Sequence, residues 1–201
     1  MKKSFSVSIL KLAVVCVAAF FTIHASAQSK ENEAAFKKGS KTIGFSAGFG
    51  LTYDYYGDYN ALPAFAITYD QGFFENIGPG NIGIGGIVGI KTASYKYSNS
   101  KYKATWNNYI IGARATYHLT ILKDKNNKFD PYAGILIGVR IYKYKDSYYS
   151  SYGYNPYNYN SAYLEKGVFI GAKYNFSKFI GAFVEAGYDI SFFRCGLNVN
   201  F

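Results

Sequence analysis

Most of the chain after residue 40 alternates between apolar and polar positions with a period of two. This period is typical of β-strands, because successive side chains of a strand point to opposite faces of the sheet. Polar or Gly- and Pro-containing stretches separate the alternating segments, as they do between strands. Gly85-Gly86 interrupts one segment and predicts a β-bulge there. The alternation predicts eight strands and no helix, with strands over residues 43–53, 64–70, 82–97, 108–119, 133–142, 167–174, 182–189 and 193–201.

The two faces of these strands differ in chemistry. One face is apolar and almost free of charge, and the other carries Gly, Ser, Thr and Asn with isolated charges. A water-soluble barrel would expose Lys, Glu and Asp, whereas an apolar exterior around a small, polar interior is typical of a membrane-spanning barrel. The sequence therefore predicts an all-β fold, an eight-stranded antiparallel up-and-down transmembrane β-barrel. Aromatic residues fall near predicted strand ends, where interfacial girdles form; they are Tyr53, Tyr69, Tyr117, Tyr174, Tyr188 and Phe201.

The first 27 residues have the pattern of a secretory signal peptide. Lys2 and Lys3 precede an apolar core over residues 9–23, and Ala25-Ser26-Ala27 forms a small-x-small cleavage site. The alternatives are a membrane anchor, for which the core is shorter than the ~20 residues required, and a lipoprotein at Cys16, where Val15 replaces the small residue needed. We expect cleavage after Ala27, a short periplasmic segment over residues 28–40 and the barrel over residues 41–201.

An even number of strands places both ends of the chain on one side of the membrane. Because the chain is predicted to be exported, we expect that side to be the periplasm. The predicted outer loops are residues 54–62, 94–104, 144–162 and 189–192. The predicted inner turns are residues 71–81, 120–130 and 175–179.

Composition agrees with this assignment. Aromatic residues make up 20% of the 201 residues, and charged residues only 17%, below the ~25% usual in soluble domains. Removing residues 1–27 takes away three lysines and no acid, which lowers the formal charge from +10 to +7. One cysteine (Cys195) and one histidine (His118) then remain, which excludes an internal disulfide and a Cys/His zinc cluster. The sequence predicts no cofactor and no metal.

Three short segments are similar to those of a known family: Pro131-Tyr132-Ala133-Gly134, Glu185-Ala186-Gly187-Tyr188 and the ending Gly196-Leu197-Asn198-Val199-Asn200-Phe201. In these the chain resembles the small outer-membrane barrels of Gram-negative bacteria, the OmpA/OmpX-like group, and most closely the outer membrane protein beta-barrel domain family. The resemblance implies location in the cell outer membrane among lipid and lipopolysaccharide. It also implies that the barrel-insertion machinery reads the last strand, which ends on Phe201.

Two motifs that suggest enzymes lie in the wrong structural context. Gly44-Phe45-Ser46-Ala47-Gly48 matches the nucleophile motif G-x-S-x-G, but it lies inside a predicted strand with no helix after it. A Ser46–His118 pair would support a lipid-modifying barrel enzyme, which stays an alternative. Residues 78–83 match G-x-G-x-x-G, yet a strand follows where a dinucleotide site needs a helix.

Charged residues on the interior face predict a polar network inside the barrel. Glu185 can pair there with Arg114, Arg140, Lys173 or Arg194. Because cations outnumber Glu185, further partners are expected, and Asp70 and Asp189 share this face. The prediction is a polar plug that stabilises a narrow barrel, with a narrow anion-conducting pore as the alternative.

The predicted outer loops carry the candidate contact residues. Lys96, Lys101 and Lys103 are interleaved with aromatic residues; we expect contact with lipopolysaccharide phosphates and no nucleic acid, since the chain is exported. Residues 144–163 form a Tyr/Ser/Asn-rich loop of the composition that antibody paratopes use. The predicted function is a non-enzymatic structural or surface-interaction barrel that binds a surface ligand or glycan; a soluble secreted barrel with a ligand is a further alternative. The loop tyrosines are Tyr148, Tyr149, Tyr152, Tyr154, Tyr157 and Tyr159.

Overall fold

The computed structural model describes residues 34–50, 60–97, 102–122, 127–147 and 159–201. Nearly all of them are in strands, joined by short turns and one 3-10 turn at Thr120–Leu122. No helix in these ranges is long and apolar enough to cross a membrane. The strands are β1 (Lys41–Phe49), β2 (Asn60–Ala61), β3 (Ala64–Ile77), β4 (Gly80–Lys96), β5 (Lys103–Leu119), β6 (Phe129–Asp146), β7 (Tyr159–Asn175), β8 (Ile180–Tyr188) and β9 (Phe193–Asn200).

Eight of these strands form a closed antiparallel ring in the order β4-β3-β1-β9-β8-β7-β6-β5, which the β4–β5 pairing closes. The first and last strands meet along a continuous register that runs from Thr42↔Asn200 to Phe49↔Phe193. The two-residue β2 pairs with β4 beside the start of β3, and Pro63 separates the two because proline cannot donate to the ladder. The predicted fold class, an all-β eight-stranded up-and-down barrel, is confirmed.

The two ends of the barrel differ. The end where β1 begins and β9 ends, called here the turn end, carries the connections β3–β4, β5–β6 and β7–β8. The opposite end, the loop end, carries the longer predicted loops; residues 51–59, 98–101 and 148–158 of those loops lie outside the described part of the chain.

Several strands run further than the alternation predicted. The predicted turn over residues 71–81 is wrong, because β3 continues to Ile77 and β4 starts at Gly80. The chain reverses there through left-handed conformations at Asn76 (φ 56°) and Gly78 (φ 61°), residue types that tolerate positive φ. At the loop end, β4 reaches Lys96 and β5 starts at Lys103, so the predicted loop over residues 94–104 is shorter than expected.

The predicted bulge at Gly85-Gly86 is also wrong. Both glycines pair continuously with β3 and with β5. A Cβ on Gly85 would lie 1.7 Å from the carbonyl oxygen of Tyr69. The glycine at this position therefore permits close approach of two strands. The irregularities occur instead in β3, between Gly72 and Phe74 and between Phe74 and Ile77.

The outer surface is apolar in the way the alternation predicted. Ile137 in the middle of β6 is 57% exposed, whereas its neighbour Leu136 points inward and is 4% exposed. The same contrast holds around the ring. Large apolar side chains exposed on the outer face include Phe45, Phe65, Ile67, Ile84, Val88, Ile111, Ile135, Val139, Val168, Ile170, Val184, Leu197 and Val199.

Four strands continue past the others at the loop end. β4, β5, β6 and β7 stay paired as far as Lys96, Lys103, Asp146 and Tyr159, beyond the ends of β1, β8 and β9. We call this extension the projecting sheet, comprising residues 92–96, 103–108, 142–146 and 159–161. Its inner face continues the lumen face of the barrel, and its outer face continues the outer surface of the barrel.

Candidate functional site

The centre of the lumen is organised around one carboxylate. Glu185 on β8 lies directly opposite Arg194 on β9 in the strand register, and its Oε2 accepts a hydrogen bond from the Arg194 Nε at 3.0 Å. Its other oxygen pairs with the Arg114 Nη2, which reaches across from β5, at 2.6 Å. All three residues are at most 3% exposed. One glutamate thus joins three strands through two guanidinium groups.

Two aspartates complete this cluster. Asp70 pairs with the Arg114 Nε at 3.0 Å and with the Lys173 Nζ at 3.6 Å. Asp189 pairs with the Arg194 Nη2 at 2.9 Å. The alternation predicted that both aspartates face the interior, where they could pair with the surplus cations. In the structure they lie within ion-pair distance of Arg114, Lys173 and Arg194.

Arg140 lies apart from Glu185 in a second group. Its Nε donates to Glu165 at 3.0 Å and its Nη1 to the Asn108 side-chain oxygen at 3.0 Å. Lys91, which sequence reasoning did not select, is 2% exposed and donates to the carbonyl oxygens of Gly50 and Ile190. The lumen charges are therefore distributed along the barrel.

Apolar side chains fill the space between the charges. Arg114 lies over the ring of Phe169, 4.5 Å from its centroid, and Tyr132 packs edge-on against the same ring. The Tyr132 hydroxyl donates to Glu185 at 2.8 Å. Ala66, Ile87 and Leu136 belong to the same buried cluster. A narrow barrel filled in this way has a packed interior, as eight strands are expected to give.

His118 is engaged with residues other than Ser46. Its Nδ1 lies 2.8 Å from Asp130 and its Nε2 lies 3.0 Å from the Thr116 hydroxyl. Ser46 on β1 donates to the carbonyl oxygen of Ala66 at 3.3 Å and is part of a regular strand. The context that a G-x-S-x-G nucleophile requires, a strained turn into a helix, is therefore absent at Ser46.

An acidic residue organises the inner face of the projecting sheet. Asp146, 1% exposed, accepts hydrogen bonds from the hydroxyls of Tyr97 at 2.7 Å and Tyr144 at 2.8 Å. Burial and the hydrogen bond to Asp146 raise the pKa of Tyr144 above its ordinary value. Trp106 packs against Tyr144 with ring centroids 5.6 Å apart. This face therefore presents several aromatic rings held by a buried carboxylate.

Of the predicted contact tyrosines, the structure describes Tyr159. It is 47% exposed and packs edge-on against Tyr142 at 6.2 Å, on the same inner face. The other predicted contact tyrosines, Tyr148, Tyr149, Tyr152, Tyr154 and Tyr157, lie outside the described residues.

The outer face of the projecting sheet carries lysines just beyond the apolar band. Lys96 and Lys103 are exposed and pair directly in the β4–β5 register. Lys143 and Lys145 are exposed on β6, and the Lys143 Nζ lies 5.6 Å from the ring centroid of Tyr109. Lys101 falls outside the described residues.

Phe201 ends the chain beside the seam of the barrel. Its side chain is 61% exposed, and its backbone N–H donates to the carbonyl oxygen of Lys41 at 3.0 Å. The terminal aromatic residue is thus held to the first strand by the backbone while its ring stays accessible.

Besides Lys91 and Glu165, sequence reasoning missed other interior residues that the site uses. Asp130 and Asp146 share the inward parity of β6 with Tyr132, and that parity could have identified them. Phe36 precedes the alternating part of the chain, so its position carried no signal. Among the residues that the structure describes, no group of His, Cys, Asp and Glu has the arrangement of a metal site.

No protein-family model and no curated protein match the chain. Among solved structures, it is similar to Ail, the attachment invasion locus protein of Yersinia pestis, in complex with the heparin analogue sucrose octasulfate. The identity is 14% and the TM-score 0.48, over 81% of this chain and 96% of that one. It is also similar to the N-terminal beta-barrel domain of Pseudomonas aeruginosa OprF. The identity is 12% and the TM-score 0.43, over 82% of this chain and 98% of that one. These likenesses concern the fold alone.

Proposed function

We propose that this chain is an integral outer-membrane barrel without enzymatic activity, whose role is structural and whose loop end contacts surface ligands. The observation that carries the proposal is the outer face of the barrel. Apolar side chains such as Ile137 and Ile170 are 57% and 65% exposed there, while Arg114, Glu185 and Arg194 are buried inside. This inside-out arrangement is unfavourable in water and favourable in lipid.

The N-terminal sequence supports export to the outer membrane. With the predicted signal peptide removed after Ala27, the turn end faces the periplasm and the projecting sheet faces outward. Aromatic residues at the turn end support a membrane–water interface there, on the periplasmic side. Those exposed on the strands and turns of the turn end are Phe73, Phe74, Phe129, Tyr174, Phe176, Phe179 and Phe201.

Cell fractionation tests this location. We expect the protein in the outer-membrane fraction, with a gel mobility that differs before and after boiling because the intact barrel resists the detergent. Recovery in the soluble periplasmic fraction, with one mobility under both conditions, would reject the membrane assignment and favour the soluble secreted barrel.

The proposal that the barrel is not an enzyme is supported by the interior acid and base groups, which are buried and bonded to other side chains. The Glu185 carboxylate is held by two guanidinium groups, and His118 is 1% exposed. A general base must reach its substrate. The proposal predicts the same lipid A profile in cells that carry wild-type protein, Ser46→Ala or His118→Ala. A changed profile in either variant would favour the lipid-modifying alternative.

The surface role is supported by the projecting sheet. Its inner face presents Trp106, Tyr142 and Tyr159, and aromatic surfaces of this kind provide contact area at low entropic cost. We propose that this face and the Tyr/Asn/Ser-rich loop form one contact surface for a glycan or another cell-surface ligand.

Deletion of residues 147–158 tests the surface role on the intact barrel. The deletion spares β6 and β7, so heat-modifiable mobility should persist. We expect purified wild-type protein to bind host or bacterial surface glycans on an array and the deletion variant to lose that binding. Binding that is equal in both proteins, or absent in the wild type, would reject the proposed surface.

A further inference from the structure

Residues 34–40 lie in the mouth of the barrel at its turn end. Phe36 is 2% exposed, and its ring is stacked on the imidazole of His118 with centroids 3.7 Å apart and an interplanar angle of 12°. The Lys173 Nζ lies 5.3 Å from the centroid of the same ring. An aromatic side chain from before the first strand thus covers the polar lumen.

Hydrogen bonds hold this segment to β3 and β4. The N–H of Gly39 donates to the carbonyl of Gly72 at 3.0 Å, and the N–H of Gly72 donates to the carbonyl of Ser40 at 2.8 Å. The Asn81 side-chain amide donates to the carbonyl of Phe36 at 2.6 Å. These contacts position the backbone at Phe36 and on its C-terminal side.

The wall of the barrel is shaped to admit the segment. A Cβ on Gly72 would lie 1.9 Å from the carbonyl oxygen of Lys37, and a Cβ on Gly83 would lie 3.0 Å from the Phe36 ring. The first register shift of β3 also begins at Gly72. Two glycines and a local irregularity of the sheet therefore coincide with the docked segment.

Polar groups lie directly behind the ring. His118 bonds to Asp130 and Thr116, and each of the three is at most 5% exposed. Water or a solute that entered from the turn end would reach these groups first if the ring were displaced.

We propose that residues 34–40 form a plug that closes the periplasmic mouth of the lumen, with Phe36 as its stopper. The plug excludes small periplasmic solutes from the His118 site, so access to the lumen from this side depends on the position of Phe36. This inference uses contacts at the turn end and is independent of what the loop end binds.

The single histidine of the predicted mature chain makes the plug measurable. Diethyl pyrocarbonate modifies accessible imidazoles, and the reaction at His118 can be followed by absorbance and located by peptide mass spectrometry. The protein should carry no polyhistidine tag. We expect His118 in the folded wild type to react at least tenfold more slowly than in the urea-unfolded protein.

The variant Phe36→Ala should speed this reaction at least tenfold in the folded barrel. Phe179→Ala is the matched control, because Phe179 lies in a turn at the same end and is 66% exposed; it should react as slowly as the wild type. If Phe36→Ala does not fold, Asn81→Ala, which releases the carbonyl of Phe36, should give a smaller acceleration. Rates equal to the wild type in the folded variant, or a wild type as reactive as the unfolded chain, would overturn the plug.

Discussion

Glu185 faces two guanidinium groups in a region from which water is largely excluded. A buried ion pair adds little net stability over an apolar pair, but the loss of one partner leaves the other charge uncompensated. Without Glu185, Arg114 would keep only its pair with Asp70, and Arg194 only its pair with Asp189. Glu185 is the one carboxylate that both buried guanidinium groups share, so its loss should weaken both sides of the network.

Glu185→Gln should lower the free energy of unfolding by about 3–5 kcal/mol, the cost typical of breaking a buried pair. Urea titration of the barrel in phospholipid vesicles, followed by gel mobility, measures this change. Glu75→Gln is the matched control, because Glu75 is exposed and its amide oxygen can still accept the bond from the Lys38 N–H; it should cost below about 0.5 kcal/mol. Equal losses in the two variants would contradict the role given to Glu185.

The residues of this network could be predicted from the sequence, but not all of their pairings. Alternation places Arg114, Arg140 and Glu185 on the inner face. It does not determine which strands face each other across the lumen, because that depends on the tilt and stagger of the closed sheet. Arg140 consequently pairs with Glu165, a residue that lay between the predicted loop over residues 144–162 and the predicted strand over residues 167–174.

At the scale of the element, four strands are longer than a membrane crossing needs. A spanning strand needs about 9–11 residues, whereas β4, β5 and β7 have 17 and β6 has 18. The pattern of apolar outer and polar inner residues does not continue into these extensions. There, aromatic residues lie on the inner face and polar residues on the outer face. The predicted strand ends were therefore short, although every barrel strand was identified.

The lysines on the outer face of the projecting sheet should contact lipopolysaccharide phosphates. Replacing Lys96, Lys103 and Lys143 by Gln should lower the lipopolysaccharide that co-purifies with the barrel from outer membranes at least tenfold, because each lysine near an anionic surface contributes about 1 kcal/mol. Replacing Lys41 and Lys178 by Gln should have little effect, because the proposed orientation places the turn end at the leaflet without lipopolysaccharide. Unchanged co-purification in the first variant would reject this contact.

At the scale of the whole molecule, the barrel closes where its first and last strands pair. Phe201 is bonded to Lys41 at this seam through its backbone, and its ring is exposed, as the predicted insertion signal requires. Phe201→Ala should therefore lower the amount of folded protein in the outer membrane severalfold without changing the unfolding midpoint of the purified barrel. Phe179→Ala serves as a control with the same loss of an exposed ring. Equal amounts of folded protein in both variants would exclude Phe201 as the insertion signal.

The outer face of the strands should lie against lipid. Ile137, in the middle of the apolar band of β6, and Thr105, on the same outer face of the projecting sheet, allow a direct comparison. In vesicles, Ile137→Arg should destabilise the barrel by about 2–4 kcal/mol and Thr105→Arg by about 0–1 kcal/mol, as expected from the depth dependence of arginine in a bilayer. The measurement is the unfolding free energy of both variants in the same vesicles. An Ile137→Arg barrel as stable as the wild type would contradict the claim, because an exposed isoleucine in water tolerates arginine.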